Sequence, residues 1–304
     1  MTLPSFLIIG APRCGTTYLV KNLKLHPEIY IPDEGAELGS DDVHFFDKYT
    51  EKGSANFYKG LSWYRSLFQS CGEHQVPGEK TADYLCSEES AQLILETLGG
   101  NTKLIVVLRD PVSRAYSHYL HSRHRLPIGL SFQKLVERGE DPKGVPVLSS
   151  GLYWNHLKAY FAKFRMENLL ILLNDDLESD PENELIRVCR FLGVREDIVF
   201  ELSESRINVS STGRLAHLSA RVGRTLKAFF PSLHEWLMTG APSRQLEKVI
   251  LWIRGKSDGI DSTSKQVRPE IGAASIERLR SYYRHDVAQL SMVLKRDIEK
   301  LWWD

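Results

Sequence analysis

The chain has 304 residues and 42% hydrophobic content, and its 39 Lys plus Arg balance 39 Asp plus Glu to a formal net charge of zero. That length can bury the core of one large α/β domain or two smaller ones. The balanced charge provides no global field to recruit nucleic acid or a polyanionic polymer.

Cys14, Cys71, Cys86 and Cys189 form no CxxC pair, which argues against a structural zinc site and for free thiols in a reducing compartment. Apolar runs stay below membrane-spanning length, and the first strand pattern begins within a few residues of Met1. The expectation is a soluble cytoplasmic protein with no membrane span and no room for a signal peptide.

Phe6-Leu7-Ile8-Ile9 is a short apolar run of the kind that forms a buried parallel strand. Gly10 and Pro12 break it, Gly15 supplies a position without a side chain, and Thr16-Thr17 open a helical pattern carrying Leu19, Leu23 and Leu25. A strand, a tight turn and a helix N-terminus make an anion site, because free backbone N–H groups and the positive end of the helix dipole face the turn. The spacing Gly10-x-x-x-x-Gly15-Thr16-Thr17 is close to the P-loop pattern, but Thr16 stands where nucleotide triphosphatases carry lysine. The nearby cation is Arg13, inside the turn. The stretch predicts a phosphate loop for an anionic chain shorter than that of ATP, with an ordinary glycine turn as the alternative.

His26-Pro27 ends that helix, and Ile29–Ile31 reads as a short strand. Residues 33–43 form an acidic loop running into His44-Phe45-Phe46. Residues 54–70 suggest an amphipathic helix, 76–81 a strand end entering a loop, and 91–98 a helix stopped by Gly99-Gly100. Lys103–Leu108 is the strongest strand signal. It ends in Arg109-Asp110-Pro111, with Pro111 suited to the first turn of a helix reaching about Arg125. Helices over 131–138 and 153–164, a strand over 169–173 and a helix over 182–192 closed by Gly193 follow. Helical stretches over 215–254, a polar flap over 255–272 and a long terminal helix or helix pair over 276–303 complete the chain.

This alternation predicts an α/β, P-loop-like three-layer fold with a central, mainly parallel sheet flanked by helices and a helical C-terminal part. One domain over 1–304 is expected, with its core in 1–200 and a helical and flap region over 201–304. The turns at 10–17 and 109–111 both fall on the carboxyl edge of such a sheet, where ligands bind.

GAPRCGTT, PGEKTADY and LRDPVSRAYSHY occur in that order. Together they resemble the sulfotransferases that use 3′-phosphoadenosine-5′-phosphosulfate (PAPS), particularly the branch that includes the heparan-sulfate enzymes and bacterial relatives. The resemblance runs from about Ser5 to Gly193 and resumes weakly in Asn208-Val209-Ser210, YYRHDVAQL and Trp302.

It implies that Arg13, Cys14, Gly15, Thr16 and Thr17 form the 5′-phosphosulfate loop, and that Arg109 and Ser117 bind the 3′-phosphate. A spacing of eight lets a strand-end residue and one on the following helix converge on one phosphate, the guanidinium giving paired charge-assisted donors and the serine a neutral one. The alternative for Arg109-Asp110 is a local ion pair capping the helix. Tyr153 would lie near nucleotide and acceptor, with a core role as the alternative. Arg214 would lie near the 3′-phosphate, with an exposed helix start as the alternative.

The implied chemistry is in-line displacement at sulfur with PAP leaving and charge building on the donor's bridging oxygen. Arg13 occupies a position that is commonly lysine; arginine keeps the charge but is a poor proton donor, so electrostatic stabilisation is its expected role. A Lys-Glu pair in the family reads Asp41-Asp42 here. Asp42 is therefore the first candidate for the general base, and His44 the second; His44 could instead be packed under the aromatic cluster. Lys80 is expected near the sulfuryl group or the acceptor, with a surface lysine as the alternative. The spacing of His118, His121 and His124 invites a metal, but no carboxylates or cysteines support it, and no metal is expected.

The predicted acceptor is a hydroxyl or amine of a small or carrier-bound metabolite. A saccharide or glycolipid is the second possibility. A P-loop kinase or nucleotide-binding protein is a distant third, disfavoured by Thr16 and by the lack of a clear magnesium-binding strand end.

Overall fold

The first apolar run forms β1 (Phe6–Gly10), buried at every position. The structure, a computed structural model, describes residues 2–33, 42–47, 55–198, 200 and 271–304. Four further strands are β2 (Ile29–Tyr30), β3 (Val76–Lys80), β4 (Lys103–Leu108) and β5 (Leu169–Leu173). They form one five-stranded sheet in the order β2-β3-β1-β4-β5, and every neighbouring pair is parallel. Parallel strands need crossovers and covered faces, which is why β1, β4 and β5 read as continuous apolar runs.

β3 extends the strand end expected over 76–81, although Pro77 and Gly78 are poor strand formers. Gly78 sits opposite Phe6 in the register, and a Cβ there would come within 2.1 Å of the Phe6 ring. The missing side chain lets that ring lie across the strand.

The chain leaves β1 toward β3 on one side and later crosses to β4 on the other. That reversal places β1 at the topological switch point, where open α/β sheets bind ligands beyond their carboxyl ends. Leading into that edge are α1 (Thr16–Leu23) and, after β3, α4 (Glu88–Leu98). The stretch expected as one helix over 54–70 is two, α2 (Ala55–Tyr58) and α3 (Gly60–Ser66), separated where Gly60 takes φ 79°. α4 starts three residues earlier than its apolar period suggests, because the Ser87 side chain caps it by accepting from the Ser90 N–H.

α5 (Pro111–Ser122) follows β4, with Pro111 in its first turn, and α6 (Phe132–Arg138) and α7 (Tyr153–Phe161) follow in turn. Beyond β5 come α8 (Asn174–Ser179), which was not expected, and α9 (Pro181–Leu192).

The terminal region is a helix pair, α10 (Ala273–Leu294) and α11 (Ile298–Trp303), jointed at Lys295 in the left-handed region (φ 51°). Leu279, Tyr283, Val287 and Leu290 of α10 are buried, and both helices belong to the compact unit that carries the sheet. Leu152 gives α7 no side-chain cap. Asp286 of α10 supplies one instead, its carboxylate accepting from the backbone N–H groups of Trp154 (2.9 Å) and Asn155 (3.0 Å).

The helices expected over 215–254, Arg214, and the expected flap up to residue 270 lie outside the described residues. Among the described residues no helix is long and apolar enough to cross a membrane.

Candidate active site

The turn between β1 and α1 has two residues in the left-handed region, Arg13 (φ 71°) and Gly15 (φ 99°). Gly15 is the N-cap residue of α1 and offers no side chain to its first turn. The amides there are thus left to an outside anion, at the positive end of the helix dipole. Thr16 is buried and Thr17 half-buried in that first turn. A Cβ on Gly15 would also stand 3.4 Å from the Asn174 amide nitrogen. Asn174 thus flanks the loop from the end of β5, a neighbour that no sequence pattern announced.

Arg13 reaches out of the loop toward α5, its Nε donating to Ser117 Oγ at 3.3 Å. Cys14 turns inward and is fully buried. Burial pushes its thiol up to about 11, against the opposing pull of the Tyr153 hydrogen bond and of the Arg114 and Arg109 charges. A neutral thiol is a packing group rather than a ligand for an anion.

Tyr153 is also fully buried. Its hydroxyl donates to the Arg109 carbonyl (2.8 Å) and lies 3.4 Å from Cys14 Sγ. Tyr153 therefore ties the loop to the end of β4 from beneath.

Asp110 caps α5, accepting from Val112 N (3.1 Å), Ser113 N (3.0 Å) and Ser113 Oγ (2.5 Å). It also accepts from Trp303 Nε1 at 3.2 Å. Among the described residues no ion pair joins it to Arg109, so the capping alternative holds for Asp110 alone.

On the other flank of β1, Lys80 ends β3 and is 3% exposed, which excludes a surface role. Its Nζ lies 3.0 Å from Asp42 Oδ2, and Asp42 Oδ1 accepts from Ala82 N at 2.9 Å.

The segment carrying Asp42 and His44 is held by four backbone N–H bonds to two hydroxyls. Val43 N and His44 N donate to Thr81 Oγ1 (3.1 and 3.0 Å). Phe45 N and Phe46 N donate to the Tyr84 hydroxyl (2.8 and 3.1 Å). Both hydroxyls in turn donate to the fully buried Glu79, Thr81 at 3.1 Å and Tyr84 at 3.0 Å, and Tyr64 adds a third donor at 3.0 Å. Burial pushes the Glu79 carboxyl up to about 7, although the three hydroxyls pull it down. Glu79 thus anchors the segment that presents the candidate bases.

His44 is half-buried and has φ 52°. Its Nδ1 stands 2.5 Å from the buried Asp47 carboxylate. Burial pulls its pKa down, but the Asp47 hydrogen bond and the charges of Asp47, Asp42 and Asp83 outweigh that and leave it raised. Phe45, not His44, enters the aromatic cluster, stacking on Tyr64 at 4.2 Å between ring centroids.

His118 is buried with Nδ1 3.2 Å from Arg114 Nη1, whereas His121 and His124 are exposed. Among the described residues no group of His, Cys, Asp and Glu is placed to hold a metal ion.

The carboxyl edge therefore carries two linked clusters: Arg13–Ser117 with Cys14–Tyr153–Arg109 on the β4 side, and Lys80–Asp42 with His44–Asp47 on the β3 side. Comparison with known proteins bears on what such an edge serves. The sulfotransferase domain family matches residues 3–224. Mouse (Mus musculus) heparan sulfate glucosamine 3-O-sulfotransferase 3A1 is 36% identical over 200 residues, covering 64% of this chain and 47% of its own. Human (Homo sapiens) heparan sulfate glucosamine 3-O-sulfotransferase 6 is 31% identical over 284 residues, covering 92% of this chain and 69% of its own. The chain spans about half the length of the first of these relatives. A solved sulfotransferase from Alicyclobacillus acidocaldarius shares the fold over 98% of both chains, with a TM-score of 0.66 and 23% identity. With the family matched over most of its length, this chain belongs to the PAPS-dependent sulfotransferases.

Proposed function

We propose that the protein moves the sulfuryl group of PAPS to an acceptor hydroxyl by in-line displacement and releases PAP. The observation that supports this reading is the division of the carboxyl edge: the β1–α1 turn joined to Ser117 through Arg13 beside β4, and the buried Lys80 paired with the half-buried Asp42 beside β3. The α1 amides would hold the 5′-phosphosulfate and Arg109 with Ser117 the 3′-phosphate, a donor set of N–H and O–H groups that fits a doubly phosphorylated nucleotide.

Lys80, at the sulfuryl end, would stabilise charge on the bridging oxygen as the bond to sulfur breaks. Asp42 would take the proton of the attacking hydroxyl, oriented by its contacts to Lys80 and Ala82. His44, braced by Asp47 through Nδ1, is the second base.

A small or carrier-bound metabolite is the first acceptor class, consistent with a chain of zero net charge. A second reading, a saccharide hydroxyl, is favoured by relatives named for 3-O-sulfation of a glucosamine, one aligned over 92% of this chain.

Transfer of radiolabelled sulfate from PAPS should be measured into an extract of source cells and into defined glucosamine-containing oligosaccharides. Label in small molecules or on a carrier protein supports the first class, and label on the oligosaccharide supports the second. Asp42→Ala is expected to lower kcat at least about a hundredfold, the usual scale of a general base, and His44→Ala less. The reverse order would move the base to His44. Failure to bind PAP would remove the proposal.

A further inference from the structure

We infer that Glu79 is a positioning residue for the proposed transfer: its carboxylate, acting through the Thr81 hydroxyl, holds the segment of Asp42 and His44 in place, and its protonation loosens that segment. The inference rests on the proposed site, whose candidate bases it places under the control of one buried proton.

A count of protons and lone pairs carries it. Glu79 Oε1 accepts from the Tyr64 and Tyr84 hydroxyls, each at 3.0 Å, and Oε2 accepts from Thr81 at 3.1 Å. A hydroxyl oxygen has two lone pairs, and Thr81 Oγ1 uses both. Val43 N donates to it at 3.1 Å and His44 N at 3.0 Å.

Oε2 is where a proton disturbs least, because one donor has to turn and Oε1 keeps both phenols. That proton would point at Thr81 Oγ1 and bring a third donor to an oxygen with room for two. The Thr81 hydroxyl can turn its own proton to the Lys80 carbonyl, 2.9 Å away. That carbonyl already accepts from Val43 N at 3.1 Å. Protonation therefore weakens the hold on the amides of residues 43 and 44.

Those two amides matter because of what they carry. His44 lies at φ 52°, a region that persists where the surrounding structure demands it, and its N–H bond to Thr81 is one such demand. Asp42 directly precedes the pair.

Burial pushes the Glu79 carboxyl up to about 7 against the pull of the three hydroxyls, so both forms are present near neutrality. The groups that face it are Tyr64 from α3, Tyr84 and Thr81 from the chain after β3, and the charge of Asp47 from the base segment, which raises it further. On β1 its register partner is the apolar Leu7. Folding favours the protonated form, whereas transfer needs the ionised one, so stability and activity run in opposite directions through neutral pH.

The test follows the backbone amide signals of Val43 and His44 by NMR in the full-length protein from about pH 5.5 to about pH 8.5. Initial rates of sulfate labelling of the source-cell extract at saturating PAPS are taken over the same range. The proteins are wild type, Glu79→Gln, Tyr64→Phe and His44→Asn. In wild type both amides should titrate near about 7, and the rate should fall up to about tenfold per pH unit below that point. Glu79→Gln presents an N–H to Thr81 at every pH, as the protonated acid would. Its amides should stay flat, and its rate at about pH 8 should be lower by about tenfold or more. Tyr64→Phe keeps the ring on which Phe45 stacks but removes one donor to the carboxylate. It should move the midpoint up by about one pH unit, the scale of one hydrogen bond to a charge. His44→Asn should leave the Val43 titration in place, which separates it from ionisation of the imidazole. Thermal melting identifies a variant that fails to fold, and Tyr64→Phe carries the comparison if Glu79→Gln does.

A Val43 amide that is flat in wild type, that still titrates in Glu79→Gln or that stops titrating in His44→Asn overturns the inference. So does an amide titration that the labelling rate ignores. PAP binding, measured by calorimetry, stays intact in each of those cases and keeps the site reading. A wild type that neither binds PAP nor labels the extract overturns the site reading instead.

Discussion

Glu79 shows how one buried carboxylate can organise a site it does not enter. Its two oxygens collect protons from Tyr64, Tyr84 and Thr81, and the last two hydroxyls collect the amides of residues 43–46. Burial raises its carboxyl from the ordinary 4.5 to about 7, so the folded state binds this proton more tightly than the unfolded chain does. The stability Glu79 contributes is then fullest below 4.5 and is lost as pH rises through about 7, a change of about 3 kcal/mol by linkage. Glu79→Gln keeps an acceptor for the phenols but cannot ionise, so its stability should stay flat where wild type declines. Denaturant midpoints at about pH 5 and about pH 8 would show this; an unchanged slope would place the titration elsewhere.

Residues of the loop were legible because their role is local: Gly10, Arg13 and Gly15 lie within one turn. Glu79 was read only as part of a motif, because its partners Tyr64 and Tyr84 become neighbours through tertiary packing. The Arg13 contact with Ser117 was hidden for the same reason.

At the scale of elements, apolar runs identified β1, β4 and β5, and Pro111 marked the start of α5. The strand end read over 76–81 is the full strand β3, seated where the Phe6 ring covers Gly78, a reason invisible in VPGEK itself. One element escaped. α8, NDDLES, is short and polar, with almost no apolar period to read.

The start of α7 is a third lesson, since its cap comes from another helix. Asp286 is 5% exposed and satisfies two orphan N–H groups of α7. Asp286→Ala would take the side-chain acceptor from both N–H groups. The expected loss is about 1–3 kcal/mol in a denaturant titration, and a loss within experimental error would mean that water replaces the carboxylate.

Across the whole molecule, the chain's last helix returns to the edge where its first turn began. Trp303 Nε1 donates to Asp110, 193 residues away, and Asp110 follows Arg109 directly. Trp302 Nε1 donates to Asp175 (3.0 Å), beside Asn174, and its ring meets Tyr153 at 6.2 Å between centroids. Arg296 pairs with Asp176 at 2.5 and 2.9 Å. The C-terminal segment thus fastens the ends of both β4 and β5 and leans on the tyrosine that holds Arg109 and contacts Cys14. Sequence resemblance reached Trp302 only weakly, because indole-to-carboxylate bonds over such separations leave no local pattern.

On the proposed reading of the site, these bonds would act on donor geometry rather than on the reacting atoms. Trp303→Phe keeps the ring but removes the N–H, so Asp110 loses one of its contacts while α5 keeps its cap. The expected result is a KM for PAPS raised about three- to tenfold, about 0.7–1.4 kcal/mol and the scale of one typical net hydrogen bond, with kcat within about twofold because Lys80 and Asp42 lie on the other flank. Initial rates over a PAPS series would separate the two. A fall in kcat with KM unchanged would show instead that α11 acts on the chemical step.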